Sequence, residues 1–262
     1  MRSFEERMAA VARAGRAGIM AHLVAGFRSM DESRALACGL AENGADVLEI
    51  QIPFSDPTAD GPVITAACTV AIAAGATPRA SLALAGEVIR AAGAPVFLMS
   101  YYNILFRWPG GPSAFFAEAA ALGVAGLIVP DLPPDEDAEH YFDGCRAAGL
   151  HPVLVVSPNI PDARLAELAP YASGLVYTTA RVGTTGAESQ VRDAAFIEYM
   201  GRLRKAFGAV PIAVGFGIRS RAQVEALAGL ADLAVVGTHL LSTLAEKGRD
   251  AACAELARAA GR

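Results

Sequence analysis

The sequence of 262 residues has few charged side chains and no run of basic residues. Charged residues make up 19% of it and the net charge is −5, so it lacks the basic stripe of a nucleic-acid-binding surface. It also lacks an apolar run long enough to cross a bilayer, and residues 1–16 are charged and amphipathic, unlike a secretory leader. We therefore expect neither nucleic acid nor a membrane as a partner.

Cysteine is scarce as well. Cys38, Cys68, Cys145 and Cys253 lie far apart and lack the short spacings that are typical of metal sites. Three of them stand beside Ala or Gly in helix-like stretches, where a small buried thiol is the ordinary interpretation. The sequence therefore predicts no metal site, and a reducing cytoplasm is the expected location.

Short apolar runs alternate with Ala-rich amphipathic segments along the chain. Most runs are apolar on both faces, which is typical of parallel strands covered by helices. The predicted strands are 19–25, 46–52, 95–100, 126–129, 152–156, 174–178, 211–214 and 232–236. The predicted helices are 30–43, 79–92, 113–122, 135–148, 162–168, 190–207, 220–227 and 243–260. Because no linker or change in composition interrupts this pattern, we expect one domain over 1–262.

Eight strand-helix units in this length predict an α/β fold, a single (β/α)₈ TIM barrel with extra N-terminal and loop helices. The alternative is an open doubly wound sheet, which is weakened because no Gly-x-Gly-x-x-Gly turn follows the first strand. In a barrel the functional residues lie at the C-terminal ends of the strands. The unusual residues of this chain gather at those ends.

Two carboxylates mark the second strand and the loop after it. Glu49 stands within an apolar run that looks buried on both faces, where an unpaired carboxylate is costly or takes up a proton. Asp60 follows in the loop, so a buried acid that moves protons and a more solvated one that stays ionised could divide the work. The alternatives are an internal salt bridge for Glu49 and an ordinary turn for Asp60. Asp56 is either an Asx turn or a surface contact with a partner.

Gly-rich segments follow three late strands, at 180–187, 215–220 and 237–238. Glycine permits close approach of backbone N–H groups, and a helix N-terminus adds partial positive charge, so the segments predict a phosphate site. Barrels often bind phosphate after strands seven and eight. Thr238 could add a hydroxyl donor, and Arg181 and Arg219 could add charge or be solvated loop residues. The alternative is tight turns with no ligand.

With these residues in place, the chain resembles the tryptophan synthase alpha subunit over nearly its whole length. The stretch Pro53-Phe54-Ser55-Asp56-Pro57-Thr58-Ala59-Asp60-Gly61-Pro62 is the most specific match. Further matches occur in several loops in the expected order: Tyr101, Asn103, Asp131, 157–159, Tyr177, Gly183, Thr185, Gly186 and 215–218.

The resemblance implies a barrel enzyme that cleaves indole-3-glycerol phosphate by retro-aldol chemistry and needs no cofactor. It implies general acid/base catalysis by Glu49, binding of the indole nitrogen by Asp60 and a catalytic place for Tyr177. It also implies a beta-subunit partner at the loop that carries Pro53, Asp56 and Pro57. The substrate-binding residues that we predict are His22, Gln51, Tyr101 and Phe216. The phosphate-binding residues that we predict are Thr185, Gly186, Gly217, Gly237 and Thr238.

The chain departs from the family pattern at several points. His22 stands where an apolar ring is usual, and is either a hydrogen-bonded core histidine or a substrate contact. Gln51 replaces a small residue, and because positions 49 and 51 of a strand point the same way, it should project toward the pocket near Glu49. The loop 180–185 is altered, and an insertion around 107–111 follows strand three. These departures suggest a divergent member.

Three hypotheses therefore stand. The leading one is cleavage of indole-3-glycerol phosphate, either within a tryptophan synthase or by a stand-alone paralogue. The second keeps the barrel and the phosphate site but changes the phosphorylated substrate, because His22 and Gln51 add polar groups to the pocket. The third is a catalytically weak regulatory partner of a beta-type subunit, since the loop with Asp56 keeps the family pattern.

Overall fold

The computed structural model describes residues 3–137, 140–179, 193–215 and 217–262. Eight parallel strands form a closed barrel in chain order. The strands are β1 Gly18–Val24, β2 Val47–Gln51, β3 Val96–Met99, β4 Gly126–Ile128, β5 His151–Val156, β6 Val176–Thr179, β7 Ile212–Gly215 and β8 Leu233–Val236. The barrel prediction is confirmed and the doubly wound alternative is wrong. One domain over 1–262 stays a prediction.

Helices surround this barrel and add to it. Within the described residues they are α1 Phe4–Arg13, α2 Met30–Glu42, α3 Pro62–Ala73, α4 Pro78–Ala92, α5 Tyr102–Phe106, α6 Gly111–Leu122, α7 Tyr141–Ala147, α8 Asp162–Leu168, α9 Ala194–Phe207, α10 Arg221–Ala226, α11 Thr238–Lys247 and α12 Arg249–Ala260. Each of the eight predicted helices overlaps at least one of these. The predicted extra N-terminal and loop helices correspond to α1, α3 and α5.

Two of the predicted helices are divided in the structure. The segment 243–260 belongs to two helices, because Gly248 between them has a φ of 86° and leaves the helical conformation. The segment 135–148 contains a short 3₁₀ turn at Pro134–Glu136, and the α-helix begins only at Tyr141, after His140 with a φ of 56°. Residues 138 and 139 lie outside the described part of the chain.

The sequence pattern predicted extra loop helices but gave no residue bounds for α3. Pro62 occupies its first turn, where the missing N–H costs nothing, so a helix start was available there. Its apolar residues do not keep to one face, because Val70 and Ile72 are exposed to solvent. No single helix in the described ranges is long and apolar enough to cross a bilayer; α3 and α4 pass that test only as a pair bent by 105°.

The core has an outer shell between strands and helices and an inner shell inside the barrel. Leu48, Ile50 and Ile52 belong to the outer shell, and Val47 belongs to the inner one. Because side chains alternate along a strand, Glu49 and Gln51 point inward with Val47, and both are buried. The prediction that Glu49 lies in an interior is confirmed.

Helix α1 closes the N-terminal end of the barrel. Its start is fixed by a capping box between Ser3 and Glu6, and Phe4 packs edge-on against Phe97 of β3 with ring centroids 5.0 Å apart. Met8 continues the same apolar face of the helix into the inner shell. The inner shell is thus sealed at this end, and the opposite end, where the strands finish, is left for a site.

Candidate active site

A cavity opens at the C-terminal ends of the strands and holds about 740 Å³ of space, including its mouth. Seven of the residues predicted from the sequence line it. They come from strands one, two and six, from the loops that follow strands two and seven, and from the segment that joins strand eight to α11: His22, Glu49, Tyr177, Asp60, Gly217, Gly237 and Thr238. The barrel therefore brings together the predicted acid, the predicted indole-binding acid and part of the predicted phosphate site.

His22 and Glu49 form a buried pair in the wall of this cavity. The register of β1 on β2 places the two residues side by side, and His22 Nδ1 lies 3.2 Å from Glu49 Oε1. Burial by itself would lower the pKa of His22, but the adjacent Glu49 carboxylate outweighs it, so the pKa of His22 lies above its usual value. His22 is therefore a hydrogen-bonded interior histidine that also lines the cavity, and its contact with substrate stays a prediction.

Each side chain of the pair has a second polar atom that the contact between them does not use. Among the described residues, Glu49 Oε2 and His22 Nε2 are buried and have no hydrogen-bond partner. A buried polar atom without a partner costs roughly 1–3 kcal/mol. Because both side chains line the cavity, these atoms are available to a ligand. Buried polar atoms without a partner often have a functional role.

Asp60 is held by two donors. Gln51 Nε2 and Tyr101 Oη donate to Asp60 Oδ2 over 2.7 and 2.9 Å, and Tyr101 Oη also accepts from the Ala59 N–H over 3.0 Å. Burial raises the pKa of Asp60, while the positive charge of His22 and the two hydrogen bonds oppose that rise. The carboxylate is thus fixed in position at the cavity wall.

Gln51 and Tyr101 lie behind Asp60. Both are fully buried and neither lines the cavity. Gln51 Nε2 is also 3.6 Å from Cys68 Sγ, and Gln51 Oε1 has no partner in the described part of the chain. The ring of Tyr101 stacks on Phe54 with centroids 5.1 Å apart. Their contact with substrate stays a prediction, and in the structure both side chains donate a hydrogen bond to Asp60.

Tyr177 lies on β6 and faces the cavity across from Glu49. Burial, followed by the nearby charges of Glu49 and Asp60, raises the pKa of Tyr177 well above its usual value, so its hydroxyl is neutral and can donate a hydrogen bond. Gly215 on β7 leaves room for this hydroxyl, because a Cβ there would lie 3.2 Å from it.

The predicted phosphate end is built around the start of α11. Gly237 precedes the helix, Thr238 is its first residue and both line the cavity, so the N-terminal end of α11 lies in the cavity wall. Gly217 beside them has a φ of 63°, a conformation that favours glycine. Arg219 is exposed. The predicted residues Thr185, Gly186 and Phe216, together with Arg181, lie outside the described residues.

The loop with Asp56 and the insertion differ in what they offer to a partner. Asp56 is exposed, accepts a hydrogen bond from Ser55 Oγ over 2.5 Å and has a carbonyl that accepts from the Thr58 N–H, so it shapes a turn on the surface. Trp108 of the insertion is buried against Phe115 with ring centroids 5.0 Å apart. The insertion is therefore anchored in the core and does not present its tryptophan to a partner.

Sequence analysis missed the apolar wall of the cavity. These residues, apolar apart from Thr179, lie near strand ends or in the segment after β2 that includes the start of α3: Ala59, Ile64, Met99, Ile128, Pro130, Val155, Thr179 and Val235. All of them except Ala59 and Ile64 lie within one residue of the end of a predicted strand, so their position along each run was the available signal. The apolar wall and the acids together fit a ligand with an aromatic part and a polar part.

Comparison with known proteins gives one consistent answer. The family model described as "Tryptophan synthase alpha chain" matches residues 8–260. The tryptophan synthase alpha chain of Desulfotalea psychrophila is 40% identical over 230 residues, which cover 88% of this chain and 89% of that protein. The corresponding chain of Leifsonia xyli subsp. xyli is 41% identical over 247 residues, with 93% of each chain covered.

Solved structures agree with the sequence comparison. A structure of Mycobacterium tuberculosis tryptophan synthase contains a chain that superposes with a TM-score of 0.90 at 33% identity, with 100% of this chain and 98% of that chain covered. A mutant tryptophan synthase alpha-subunit from Pyrococcus furiosus gives a TM-score of 0.84 at 32% identity, with 94% and 99% covered. The likeness therefore extends over the whole barrel.

Proposed function

The chain belongs to the tryptophan synthase alpha chain family and is a lyase that cleaves indole-3-glycerol phosphate to indole and glyceraldehyde 3-phosphate, and we propose that Glu49 is its general acid/base and Asp60 its indole-binding group. Family membership favours this activity over a changed substrate or a purely regulatory role. The observation that carries the assignment is the free Oε2 atom of Glu49 in the cavity wall.

The retro-aldol reaction needs two proton transfers. The bond from indole C3 to the glycerol chain breaks when C3 has gained a proton and the hydroxyl on the adjacent glycerol carbon loses one. The bonding electrons return to the indole ring, and the hydroxyl oxygen becomes the aldehyde oxygen of glyceraldehyde 3-phosphate. A positioned acid/base accelerates such a step by about 10²–10⁴-fold. Glu49 can give the first proton and accept the second in turn.

Asp60 has the chemistry to hold the indole. Protonation at C3 makes the indole nitrogen part of a cation, and a carboxylate that accepts its N–H stabilises that charge. Gln51 and Tyr101 hold Asp60 in place on the side away from the cavity, which keeps the carboxylate oriented without a cost during the reaction. Tyr177, which is neutral and lines the same cavity, serves as a donor to the substrate.

The phosphate is proposed to bind at the opposite side of the mouth. Gly217, Gly237 and Thr238 support this proposal, because they offer the N-terminus of α11 and a hydroxyl group to an anion. Thr185 and Gly186 remain part of the proposed site. Anchoring the phosphate there would hold the glycerol chain across the cavity in reach of Glu49.

The test is the Glu49→Gln variant. It is expected to lose indole release by about 10²-fold or more, while its affinity for glycerol 3-phosphate stays near that of the parent, because the phosphate end is untouched. The Thr238→Val variant is the matched control, with weakened phosphate binding and an intact acid/base. Parent-like turnover by Glu49→Gln would overturn the assignment.

A beta-type subunit is the proposed partner, bound at the loop with Pro53, Asp56 and Pro57. The exposed Asp56 supports this, as does the solved structure of the Mycobacterium tuberculosis tryptophan synthase. A cytoplasmic location is part of the same proposal. Co-purification with a beta subunit should be lost in Asp56→Arg and kept in Asp162→Arg on α8; equal binding by both variants would argue against this loop.

A further inference from the structure

His22 is a titratable group in the cavity wall that the proposed role of Glu49 leaves unused. Its ring has two distinct edges. Nδ1 contacts Glu49 Oε1 at 3.2 Å, and Nε2 has no partner among the described residues. Since Glu49 Oε2 is also without such a partner, the pair is one hydrogen-bonded unit with an open atom at each end.

The ring lies between the acid and the proposed phosphate end. On its other side it packs on Gly237, where an added Cβ would lie 3.1 Å from His22 Cβ and 3.3 Å from Cδ2. That contact and the hydrogen bond to Glu49 fix the ring from two directions. A glycerol chain that joins an indole near Asp60 to a phosphate at Thr238 must pass this wall.

We propose that His22 is a second catalytic residue, which accepts the proton of the glycerol hydroxyl at Nε2 while Glu49 delivers the proton to indole C3 from Oε2. The proposal rests on the acid/base role of Glu49 and divides between two groups the transfers that a single carboxyl would otherwise make in turn. It assigns a function to a residue that replaces an apolar ring.

The protons balance within the pair. The reaction starts from the form of the pair in which Glu49 carries a proton on Oε2 and His22 is neutral, with its proton on Nδ1 facing Glu49 Oε1; this form holds as many protons as the imidazolium–carboxylate pair. Glu49 protonates C3 and becomes a carboxylate, and the C–C bond breaks as Nε2 takes the hydroxyl proton. The resulting imidazolium lies 3.2 Å from the carboxylate that stabilises it. Release of the Nε2 proton of His22 to solvent and uptake of a proton at Glu49 Oε2 restore the reactive form.

A purely positioning role makes a different prediction. If His22 only orients Glu49 through Nδ1, any side chain with an N–H at that place would serve. His22→Asn keeps an N–H near the position of Nδ1 and has no atom at Nε2. His22→Phe removes both. The Asn variant therefore separates the two roles.

The experiment measures two reactions on the same proteins. The first is indole formation from indole-3-glycerol phosphate, which needs both proton transfers. The second is exchange of the C3 hydrogen of indole in D₂O with glycerol 3-phosphate present. This exchange needs the proton transfer by Glu49 and not the one by His22. The proteins are the parent, His22→Asn, His22→Phe, Glu49→Gln and, as the matched control, His151→Asn at the closed end of the barrel. Thermal unfolding and glycerol 3-phosphate affinity check that each variant folds.

We expect His22→Asn to lose cleavage by about 10²-fold and to keep C3 exchange within about threefold of the parent. Equal losses in both reactions, or none in either, would overturn the role of His22. Glu49→Gln should lose both reactions; if it keeps C3 exchange, the proposed function itself fails, whatever His22 does. His151→Asn should change neither reaction.

Discussion

The first prediction concerns the hydrogen bond that Gln51 donates to Asp60 and its contribution to activity. In Gln51→Leu a side chain of similar size loses the Nε2 group that donates to Asp60 Oδ2 over 2.7 Å. A hydrogen bond to a charged group contributes about 1.5–3 kcal/mol. Because each 1.4 kcal/mol is tenfold, we expect kcat/KM for indole formation to fall roughly 10- to 150-fold if the whole contribution is used in the transition state.

Stability should respond differently from activity. The same substitution removes the buried Gln51 Oε1, which has no partner in the described residues and costs about 1–3 kcal/mol. Asp60 keeps the Tyr101 hydroxyl at 2.9 Å. The two effects on folding oppose each other with similar size, so the free energy of unfolding should stay within about 1.5 kcal/mol of the parent.

The assays are steady-state indole formation at two pH values and urea unfolding. Since loss of the Gln51 donor raises the pKa of Asp60 and favours its protonated form, activity of Gln51→Leu should recover partly as the pH rises. Cys68→Ser is the control, because it changes the other neighbour of Gln51 and leaves the bond to Asp60. Parent-like activity of Gln51→Leu, or equal losses in both variants, would refute the reasoning.

Two further predictions concern stability. Gly126→Ala should destabilise the barrel by about 3 kcal/mol or more, because the added Cβ would lie 2.4 Å from the His151 carbonyl oxygen. Gly201→Ala in α9, where an added Cβ has nothing within 4 Å, should stabilise the protein by about 0.5–1 kcal/mol. Thermal unfolding of both variants checks this, and similar melting temperatures would contradict it. Because the pKa of His22 is raised, its pairing with Glu49 stabilises the fold fully below about pH 6.5, and this contribution is lost as the pH rises through the pKa of the folded state. The difference in unfolding free energy between the parent and His22→Asn should therefore shrink from about pH 6 to about pH 9. A constant difference would contradict this.

The fold could be predicted because its signals are local. Strand runs that are apolar on both faces, separated by helical periods, indicate a covered parallel sheet, and their number indicates closure. The inward direction of Glu49 followed from the alternation along β2. The division at Gly248 depended on a single positive φ, and α3 was hidden because Val70 and Ile72 are exposed.

The interactions inside the site were less accessible from the sequence. The contact of His22 with Glu49 depends on the register between β1 and β2, which no short pattern specifies. Gln51 was expected to project toward the pocket near Glu49. In the structure it donates a hydrogen bond to Asp60, because the loop after β2 brings that carboxylate back over the strand. Such pairings depend on tertiary placement, and a list of candidate residues cannot give them.

The most direct test of the account is a crystal structure of the Glu49→Gln protein with indole-3-glycerol phosphate bound. The account predicts the phosphate at Gly237 and Thr238, the indole N–H on Asp60, and C3 within reach of the side chain at position 49. The glycerol hydroxyl should lie at hydrogen-bond distance from His22 Nε2. A substrate bound with its C3 away from position 49, or with its phosphate elsewhere than the start of α11, would contradict it.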